Sequence, residues 1–283
     1  MIPDSVEAAR AFYDGYVEEH VPYHRSPRGL KGWLLRGLPY WSYQEWQFWR
    51  RWVPRGCRLL DLGAARGREI FRERAALAVG VDLAQNALRD CARHYDGAVL
   101  GDLGRLPFAD ASFDCIVSSH VMGHVPAEAK PRVVGEIARL LRPGGVTIHV
   151  IETDSRHPLI ERAKADPALY RRRLIEPDGH IGLELADAAI GRFRAEGFET
   201  LEATPLETGP FHPRLIVKWF ANEYAARDPE LAALAAGAER DLASPLRLAW
   251  TEIRLGMRQR LRGRSEPLER AQFLALACRK SAR

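Results

Sequence analysis

The stretch Asp61-Leu62-Gly63-Ala64-Ala65-Arg66-Gly67 decides how this chain of 283 residues is interpreted. It continues Arg58-Leu59-Leu60, which with Asp61-Leu62 predicts a strand, and its glycines predict a tight turn from that strand into a helix. Backbone at such a turn approaches a ligand closely, and the following helix offers free N–H groups to it. The sequence therefore predicts a ligand site at this turn.

A second acidic residue, Asp82, supports a ligand site. It ends the next apolar run, 78–81, where a carboxylate can accept two hydrogen bonds from ribose hydroxyls. The alternative is that Asp82 only caps the helix that follows it.

A nicotinamide-dependent dehydrogenase is one candidate for such a site. Its fingerprint, G-x-G-x-x-G/A, counted from Gly63, places Ala65 at the second glycine and Arg68 at the third. A bulky arginine hinders close packing of helix on strand there, and Gly67 is misplaced for binding a pyrophosphate. We therefore prefer another class of nucleotide-derived ligand.

Apolar runs alternate with helical patterns along most of the chain, which predicts parallel β-α-β units with right-handed crossovers. The predicted strands are 58–62, 78–82, 98–100, 113–118, 146–151, 198–206 and 272–278. A helix before the fifth strand is expected to stop at Pro143-Gly144-Gly145. Residues 211–263 interrupt the alternation with helical patterns that break at Asp228-Pro229 and Ser244-Pro245.

This pattern divides the chain into four segments. Residues 1–54 form a helical, aromatic lid segment, and 55–210 form a Rossmann-like α/β core. Residues 211–263 form a helical cap inserted between the sixth and seventh strands, and 264–283 return to the core as its last strand.

Over residues 57–153 the sequence resembles class I methyltransferases that use S-adenosylmethionine (SAM), in the branch of quinone-type and natural-product enzymes. Five features match the family in order: Asp61–Gly67 with D-x-G-x-G-x-G, Asp82 with the acidic ribose ligand, Asp102 with the residue that reads the adenine amino group, 106–114 with LPFxDxSFD, and 141–145 with LkPGG. Ala65 replaces the middle glycine of the first motif.

The resemblance implies a seven-stranded Rossmann-like sheet and SAM as cofactor. The implied cofactor-binding positions are Asp61, Gly63, Ala65, Gly67 and Ser118 near the methionine portion, Asp82 with Leu83 at the ribose, and Asp102 with Leu103 at adenine. Arg66 is a further candidate, as a partner of the SAM carboxylate; the alternative is a surface ion pair with Glu69 or another acid. We expect no metal, because no cluster of ligands stands out in the sequence.

His120 and His124 follow the fourth strand, where the family places its acceptor. If the acceptor is a hydroxyl, either histidine is a candidate general base, since the pKa of imidazole suits that role. The alternative for His124 is local packing or capping. His149, His20 and His24 are weaker candidates.

Two apolar features have competing interpretations. One interpretation of the N-terminal aromatic cluster is that it lines an acceptor pocket. The interpretation that we prefer for most of its rings is that they pack helices on the core. The cluster comprises Tyr13, Tyr16, Tyr23, Trp33, Tyr40, Trp41, Tyr43, Trp46 and Trp49. Residues 246–262 predict a basic amphipathic helix, which we expect to pack on its own protein, with peripheral contact to an anionic membrane as the alternative.

Composition limits the remaining choices. A net charge of +5 is spread among many acidic residues and does not by itself indicate a nucleic-acid surface. The 4 cysteines form no C-x-x-C pair, and the N-terminus lacks the features of a signal peptide, so we expect a cytoplasmic protein without a stable membrane span. A homodimer is compatible with the sequence.

The sequence therefore predicts a SAM-dependent methyltransferase of a small organic acceptor, with oxygen as the favoured atom and nitrogen or carbon as alternatives. Nucleic acid is not expected as a partner, because Ser118-Ser119-His120 stands where base-modifying enzymes carry an N/D-P-P-Y-type motif. A nucleic-acid methyltransferase and a SAM-binding protein without transferase activity remain the alternatives.

Overall fold

The computed structural model describes residues 6–20 and 25–282. Its centre is a seven-stranded sheet with the strand order β3-β2-β1-β4-β5-β7-β6. The strands are β1 (Cys57–Leu62), β2 (Ala75–Asp82), β3 (Gly97–Leu100), β4 (Phe113–Ser119), β5 (Leu141–Glu152), β6 (Phe198–Leu206) and β7 (Phe273–Lys280). Strands β1 to β5 are parallel, and β7 runs antiparallel between β5 and β6. The predicted α/β fold, with seven strands and a helical insertion between β6 and β7, is confirmed.

Helices flank the sheet and fill the insertion. They are α1 (Val6–His20), α2 (Gly29–Gly37), α3 (Gln44–Trp52), α4 (Glu69–Arg74), α5 (Gln85–Cys91), α6 (Lys130–Leu140), α7 (Pro158–Lys164), α8 (Pro167–Tyr170), α9 (Ala186–Ala195), α10 (Pro213–Phe220), α11 (Glu223–Arg227), α12 (Pro229–Leu242) and α13 (Pro245–Arg262). The two predicted breaks are helix starts. Asp228 caps α12 and Ser244 caps α13, each with a proline in the first turn.

Both faces of the central strands are buried. Leu60 and Ile116 face one apolar cluster with α6 and α9, whereas Leu59 and Cys115 face a second cluster with Trp49 of α3. Burial on both faces explains why these strands are continuous apolar runs, as expected for parallel strands covered by helices on either side.

The insertion has an apolar cluster of its own. Phe211, Trp219 and Phe220 pack there with Leu169 and Leu174, which precede the insertion in sequence. The segment 158–175 therefore folds together with α10 to α12, although the sequence placed it in the SAM-binding core.

The predicted stop of the helix before β5 is displaced. Helix α6 ends at Leu140, and Leu141 already pairs with Phe113 of β4. The motif Pro143-Gly144-Gly145 therefore lies inside an irregular start of β5, where the register shifts and Gly144 adopts a φ of 74°.

The expectation that the apolar stripe of 246–262 packs on its own protein is wrong for most of the stripe. Leu246 is 84%, Trp250 68% and Leu261 75% exposed. Helix α13 instead buries the face with Leu255 and Gly256. The Pro39 carbonyl approaches Gly256 so closely there that a Cβ at this position would collide with it. Within the described ranges, no helix has the length and apolar character needed to cross a membrane.

Candidate active site

A cavity of about 390 Å³ opens at the carboxyl ends of the parallel strands. Ligands bind at this edge in open α/β sheets. Its walls come from the loops after β1, β2, β3 and β4, from the end of β5, from α1 and α10, from the turn before α9 and from the start of β7. The lining residues are Tyr13, Tyr16, Gly63, Ala65, Arg68, Asp82, Leu83, Leu103, Ser119, His120, Val121, His124, Val125, Glu152, Asp178, His180, Leu215, Lys218, Trp219, Gln272 and Phe273.

The loop after β1 has the tight geometry that its glycines predict. Gly63 adopts a φ of 63° and Gly67 a φ of 83°, and Ala65 between them adopts a φ of 47°. A Cβ at Gly63 would collide with Val121, and one at Gly67 would lie 3.1 Å from the ring of Tyr95. Gly63 and Ala65 line the cavity, whereas Gly67 packs against Tyr95 outside it.

Asp82 lies at the cavity wall with Leu83. Its Oδ2 accepts a hydrogen bond from the backbone N–H of Ala65 at 2.8 Å, and its Oδ1 accepts one from Ala84 at 2.8 Å. Burial raises the pKa of this carboxyl, while the backbone donors oppose that shift. Each carboxylate oxygen has two acceptor sites, so capacity for further hydrogen bonds remains.

Asp61 supports the loop from beneath and does not line the cavity. It is 2% exposed, and Tyr95 donates a 2.8 Å hydrogen bond to its Oδ2. Tyr95 in turn accepts one from the backbone N–H of Arg68 at 2.8 Å. Burial raises the pKa of Asp61 to about 7, against the lowering effects of Tyr95 and Arg68.

The remaining predicted cofactor positions divide between cavity and surroundings. Leu103 lines the cavity, whereas Asp102 lies at the surface, with Arg132 3.7 Å from its carboxylate. Ser118 is buried beneath the site, where its Oγ is 2.7 Å from His149 Nδ1. Burial lowers the pKa of His149 to about 3, so this histidine is an interior neutral group away from the cavity.

The two arginines of the turn have different surroundings. Arg66 lies away from the cavity, with its Nε 3.4 Å from Asp90 of α5. Arg68 lines the cavity and donates a 2.6 Å hydrogen bond from Nη2 to Ser119 Oγ. Sequence reasoning considered Arg68 only as a bulky residue that argued against a dehydrogenase.

His120 lies between two carboxylates. Its Nε2 is 2.9 Å from Glu45 and its Nδ1 is 3.2 Å from Glu152. Burial lowers the pKa of His120, but the two carboxylates outweigh that effect and raise it to about 10. At neutral pH this ring is an imidazolium with both nitrogens engaged, which makes it a poor general base.

His124 lies deeper in the same wall. Its Nδ1 is 3.3 Å from the Gly179 carbonyl oxygen, and Tyr13 of α1 packs edge-on against its ring, with centroids 5.6 Å apart. Burial lowers the pKa of His124, which keeps the ring neutral. Of the two predicted bases, His124 therefore has the better-suited charge state.

Glu152 and His180 complete this wall, and the sequence did not single them out. Ligand atoms of His124, Glu152 and His180 all lie within 4.8 Å of one another. The fold thus brings together three potential metal ligands that lie far apart in the sequence. Glu152 ends β5 and His180 follows the turn at Gly179, so the only sequence signals were polar residues after a buried strand and beside a glycine.

Helices α1 and α10 also contribute to the wall of the cavity. Tyr13 and Tyr16 of α1 reach the cavity, as do Leu215, Lys218 and Trp219 of α10. The Tyr13 hydroxyl is buried and has no hydrogen-bond partner within the described residues. Lys218 donates to both carboxylate oxygens of Asp178, at 2.7 and 2.8 Å, so its charge is balanced.

The other aromatic side chains of the N-terminal segment do not line the cavity. Trp49 is buried in the core, Trp41 stacks on His212, and Trp33 is 67% exposed. Tyr23 and His24 lie outside the described residues, as does the side chain of His20.

Residues 60–149 match a family model described as "Methyltransferase domain". The match begins within β1 and ends within β5, and it includes the loop after β1. Residues 60–149 form a class I methyltransferase domain. SAM is the methyl donor of that family.

Relatives of the methyltransferase domain differ in their substrates. Malonyl-[acyl-carrier protein] O-methyltransferase of Methylococcus capsulatus is 37% identical over 101 residues, or 32% of this chain and 36% of that protein. A tRNA (carboxymethyluridine(34)-5-O)-methyltransferase of Mus musculus is 31% identical over 94 residues, or 33% of this chain and 14% of that protein. The chain thus matches less than two thirds of the length of either relative.

The crystal structure of the [4+2]-cyclase SpnF has the same fold. It superimposes with a TM-score of 0.55 at 17% identity and covers 100% of this chain and 98% of its own. At that identity the likeness concerns the fold alone.

Proposed function

We propose that the protein is a SAM-dependent methyltransferase that acts on a small organic acceptor, with oxygen as the methylated atom. One observation carries the proposal: the loop after β1 and side chains of α1 and α10 line the same cavity. The cofactor and an acceptor would therefore meet in one partly enclosed space.

The residues on the cofactor side fit SAM. Asp82 offers carboxylate oxygens with remaining acceptor capacity, as ribose hydroxyls require. Arg68 offers a guanidinium to a carboxylate, and the buried Tyr13 hydroxyl, which has no hydrogen-bond partner among the described residues, offers a donor. Leu83 and Leu103 offer apolar contact to a flat ring. When bound, SAM supplies an electrophilic methyl group, whose bond to sulfur breaks with its electron pair left on the sulfur.

The acceptor side is apolar with one polar cluster. Leu215, Trp219 and Phe273 line it together with His124 and Glu152. Such a wall suits a small, largely apolar molecule with a hydroxyl directed at the histidines. We infer that α1 and α10 hold this molecule and exclude water, which methyl transfer requires more than it requires a strong base.

The first experiment is a binding and turnover assay. Calorimetry should show binding of SAM and S-adenosylhomocysteine but not of NAD. Release of S-adenosylhomocysteine is then measured with phenols, aliphatic alcohols, carboxylic acids, amines and tRNA as acceptors. Turnover with a hydroxyl compound supports the proposal. Turnover with tRNA alone would show a nucleic-acid methyltransferase, and SAM binding without turnover on any acceptor would show a binding protein.

A pair of variants tests the assignment of the two walls. Replacing the whole insertion is a poor test, because α10 shares an apolar cluster with 158–175. Leu215→Trp instead fills the acceptor side from α10, whereas Leu246→Trp places the same side chain at an exposed position of α13. We expect Leu215→Trp to lose turnover while keeping its affinity for SAM, and Leu246→Trp to keep both. Equal turnover in the two variants would contradict the role given to α10.

A further inference from the structure

Three potential ligand atoms converge in the acceptor half of the cavity. His124 Nε2 lies 4.0 Å from Glu152 Oε1, and His180 Nε2 lies 3.9 Å from the same oxygen. The three side chains come from different parts of the chain, namely the turn after β4, the end of β5 and the loop before α9. All three line the cavity, so an ion could enter from it.

The hydrogen bond of His124 fixes which of its nitrogens faces Glu152. Its Nδ1 lies 3.3 Å from the Gly179 carbonyl oxygen, and a carbonyl can only accept, so Nδ1 carries the proton. A neutral ring then presents the lone pair of Nε2 to the carboxylate. Nε2 of His124 and Oε1 of Glu152 therefore point toward each other across a short gap at the cavity wall, 4.0 Å apart.

The surroundings of Glu152 resemble the outer shell of a metal site. Its Oε1 is 3.2 Å from Nδ1 of His120, whose Nε2 is held at 2.9 Å by Glu45. Its other oxygen, Oε2, is buried with no hydrogen-bond partner among the described residues, in a side chain that is only 4% exposed. Metal-binding histidines commonly donate their second N–H to a backbone carbonyl, and ligating carboxylates are themselves hydrogen-bonded.

We propose that His124, Glu152 and His180 bind one divalent transition-metal ion, with Zn²⁺ as the best-suited ion. Two imidazoles and one carboxylate are a recognised ligand set for zinc, and an open fourth position is typical of catalytic zinc. Hard ions such as Mg²⁺ prefer oxygen ligands and fit this set less well.

The distances require a small contraction. Zinc binds nitrogen and carboxylate oxygen at roughly 2.0–2.2 Å in tetrahedral geometry, which puts two ligand atoms on one ion about 3.3–3.6 Å apart. The Glu152 distances of 3.9 and 4.0 Å must therefore shorten by a few tenths of an ångström, which rotation of the two rings would provide.

The position of the ion would define the chemical class of the acceptor. This part of the inference rests on the proposed function. Its open side faces the cavity, where an acceptor hydroxyl or phenol can be the fourth ligand. An oxygen bound to Zn²⁺ loses its proton far more readily than it does in water. His124 then acts as a ligand, and the acceptor proton passes to solvent without a protein base.

Metal binding is measured first without SAM or acceptor. Full-length protein, free of any affinity tag and stripped with a chelator, is titrated with Zn²⁺ in competition with a chromophoric chelator. We expect one tight ion per chain, with affinity lowered by roughly 100-fold or more in His124→Ala, Glu152→Gln and His180→Ala. His94→Ala removes a histidine of the cofactor domain outside the cavity and should bind like the parent.

Co²⁺ provides a second readout that does not depend on activity. Bound to two imidazoles and a carboxylate, Co²⁺ should show visible d–d absorption that Zn²⁺ displaces and that the three ligand variants lack. Circular dichroism of each metal-free variant shows whether it is folded. If a ligand variant fails to fold, the parent protein still decides, because absence of tight Zn²⁺ binding in it would overturn the proposal.

The two proposals fail in different ways. Unchanged Zn²⁺ affinity in folded Glu152→Gln would overturn the metal site. Full turnover by chelator-stripped protein would overturn the role of the ion in binding the acceptor. Either result would leave methyl transfer intact. Tight Zn²⁺ binding in a protein that does not bind SAM would overturn the proposed function and leave the metal site intact.

Discussion

The backbone N–H of Ala65 donates a 2.8 Å hydrogen bond to Asp82 Oδ2, and this bond joins the loop after β1 to the end of β2. Asp82 thereby tethers this loop at the wall of the cavity, and its carboxylate retains acceptor capacity. The same carboxylate also accepts from Ala84 at the start of α5. Ala84 is the N-cap residue of α5, and no side chain caps this helix, so the alternative that Asp82 only caps it is wrong.

Asp82→Ala should weaken SAM binding strongly. Loss of hydrogen bonds to a charged group costs about 1.5–3 kcal/mol, or roughly 10- to 100-fold in Kd, and the loop loses its tether as well. Asp96→Ala is the matched control, because Asp96 also accepts a 2.8 Å bond from a backbone N–H of β2, that of Ala78, but outside the cavity. Calorimetry that shows equal SAM affinity in the parent and in Asp82→Ala would remove Asp82 from the site.

Arg68→Gln should lower SAM affinity far more than Arg66→Gln does. Arg68 lines the cavity and Arg66 pairs with Asp90 outside it, so only Arg68 is placed to meet the carboxylate of SAM. We expect a loss of roughly 10-fold or more for Arg68→Gln, in line with one charge-assisted hydrogen bond. Binding of decarboxylated SAM should be nearly equal in the parent and in this variant. The reverse order of effects would restore the original assignment to Arg66.

Ala65→Gly should stabilise the fold slightly. Ala65 has a φ of 47°, where a side chain costs roughly 1–2 kcal/mol, while glycine adds about 0.5–1 kcal/mol of backbone entropy to the cost of folding. The net gain expected in urea unfolding is up to about 1 kcal/mol. Ala111→Gly tests the same backbone strain away from the cavity, since Ala111 has a φ of 53° in a loop that does not line it. A clear loss of stability in both variants would mean that these backbone angles carry little strain.

Asp61 should make the stability of the protein depend on pH. Burial raises its folded pKa to about 7, so between about pH 4 and pH 7 the folded chain retains a proton that the unfolded chain has released. The contribution of Asp61 to stability is therefore full below about pH 4 and is lost as the pH rises through 7.

Urea unfolding from pH 4.5 to 8 tests this expectation. Asp61→Asn keeps an acceptor for Tyr95 and should remove that part of the slope, so that the parent loses stability relative to the variant as pH rises. Tyr95→Phe removes the donor that favours the carboxylate and should extend the decline to higher pH. Parallel pH profiles for the parent and Asp61→Asn would show that Asp61 titrates in its ordinary range.

Local sequence determined the architecture of the sheet. The continuous apolar runs that became β1 and β4, the glycine turn after β1 and the caps at Asp228 and Ser244 each depend on residues close together in the chain. Such features follow from side-chain periodicity and backbone freedom, which a sequence displays directly. Five of the predicted cofactor positions also line the cavity, namely Gly63, Ala65, Asp82, Leu83 and Leu103.

Tertiary structure alone decided the acceptor half of the site. His124, Glu152 and His180 meet only because the turn after β4, the end of β5 and the turn before α9 reach the same edge of the sheet. Likewise, the choice between Arg66 and Arg68 depends on which side of a short turn faces the cavity.

The surface of α13 shows the same limit. Its amphipathic pattern fixes which residues share a face, but the neighbouring chain selects the face that is buried. Gly256 lets the Pro39 carbonyl approach closely, so α13 packs through that side and leaves Trp250 exposed. The periodicity of a helix follows from its own sequence. The face that it buries depends on the element packed against it, and only the folded chain specifies that element.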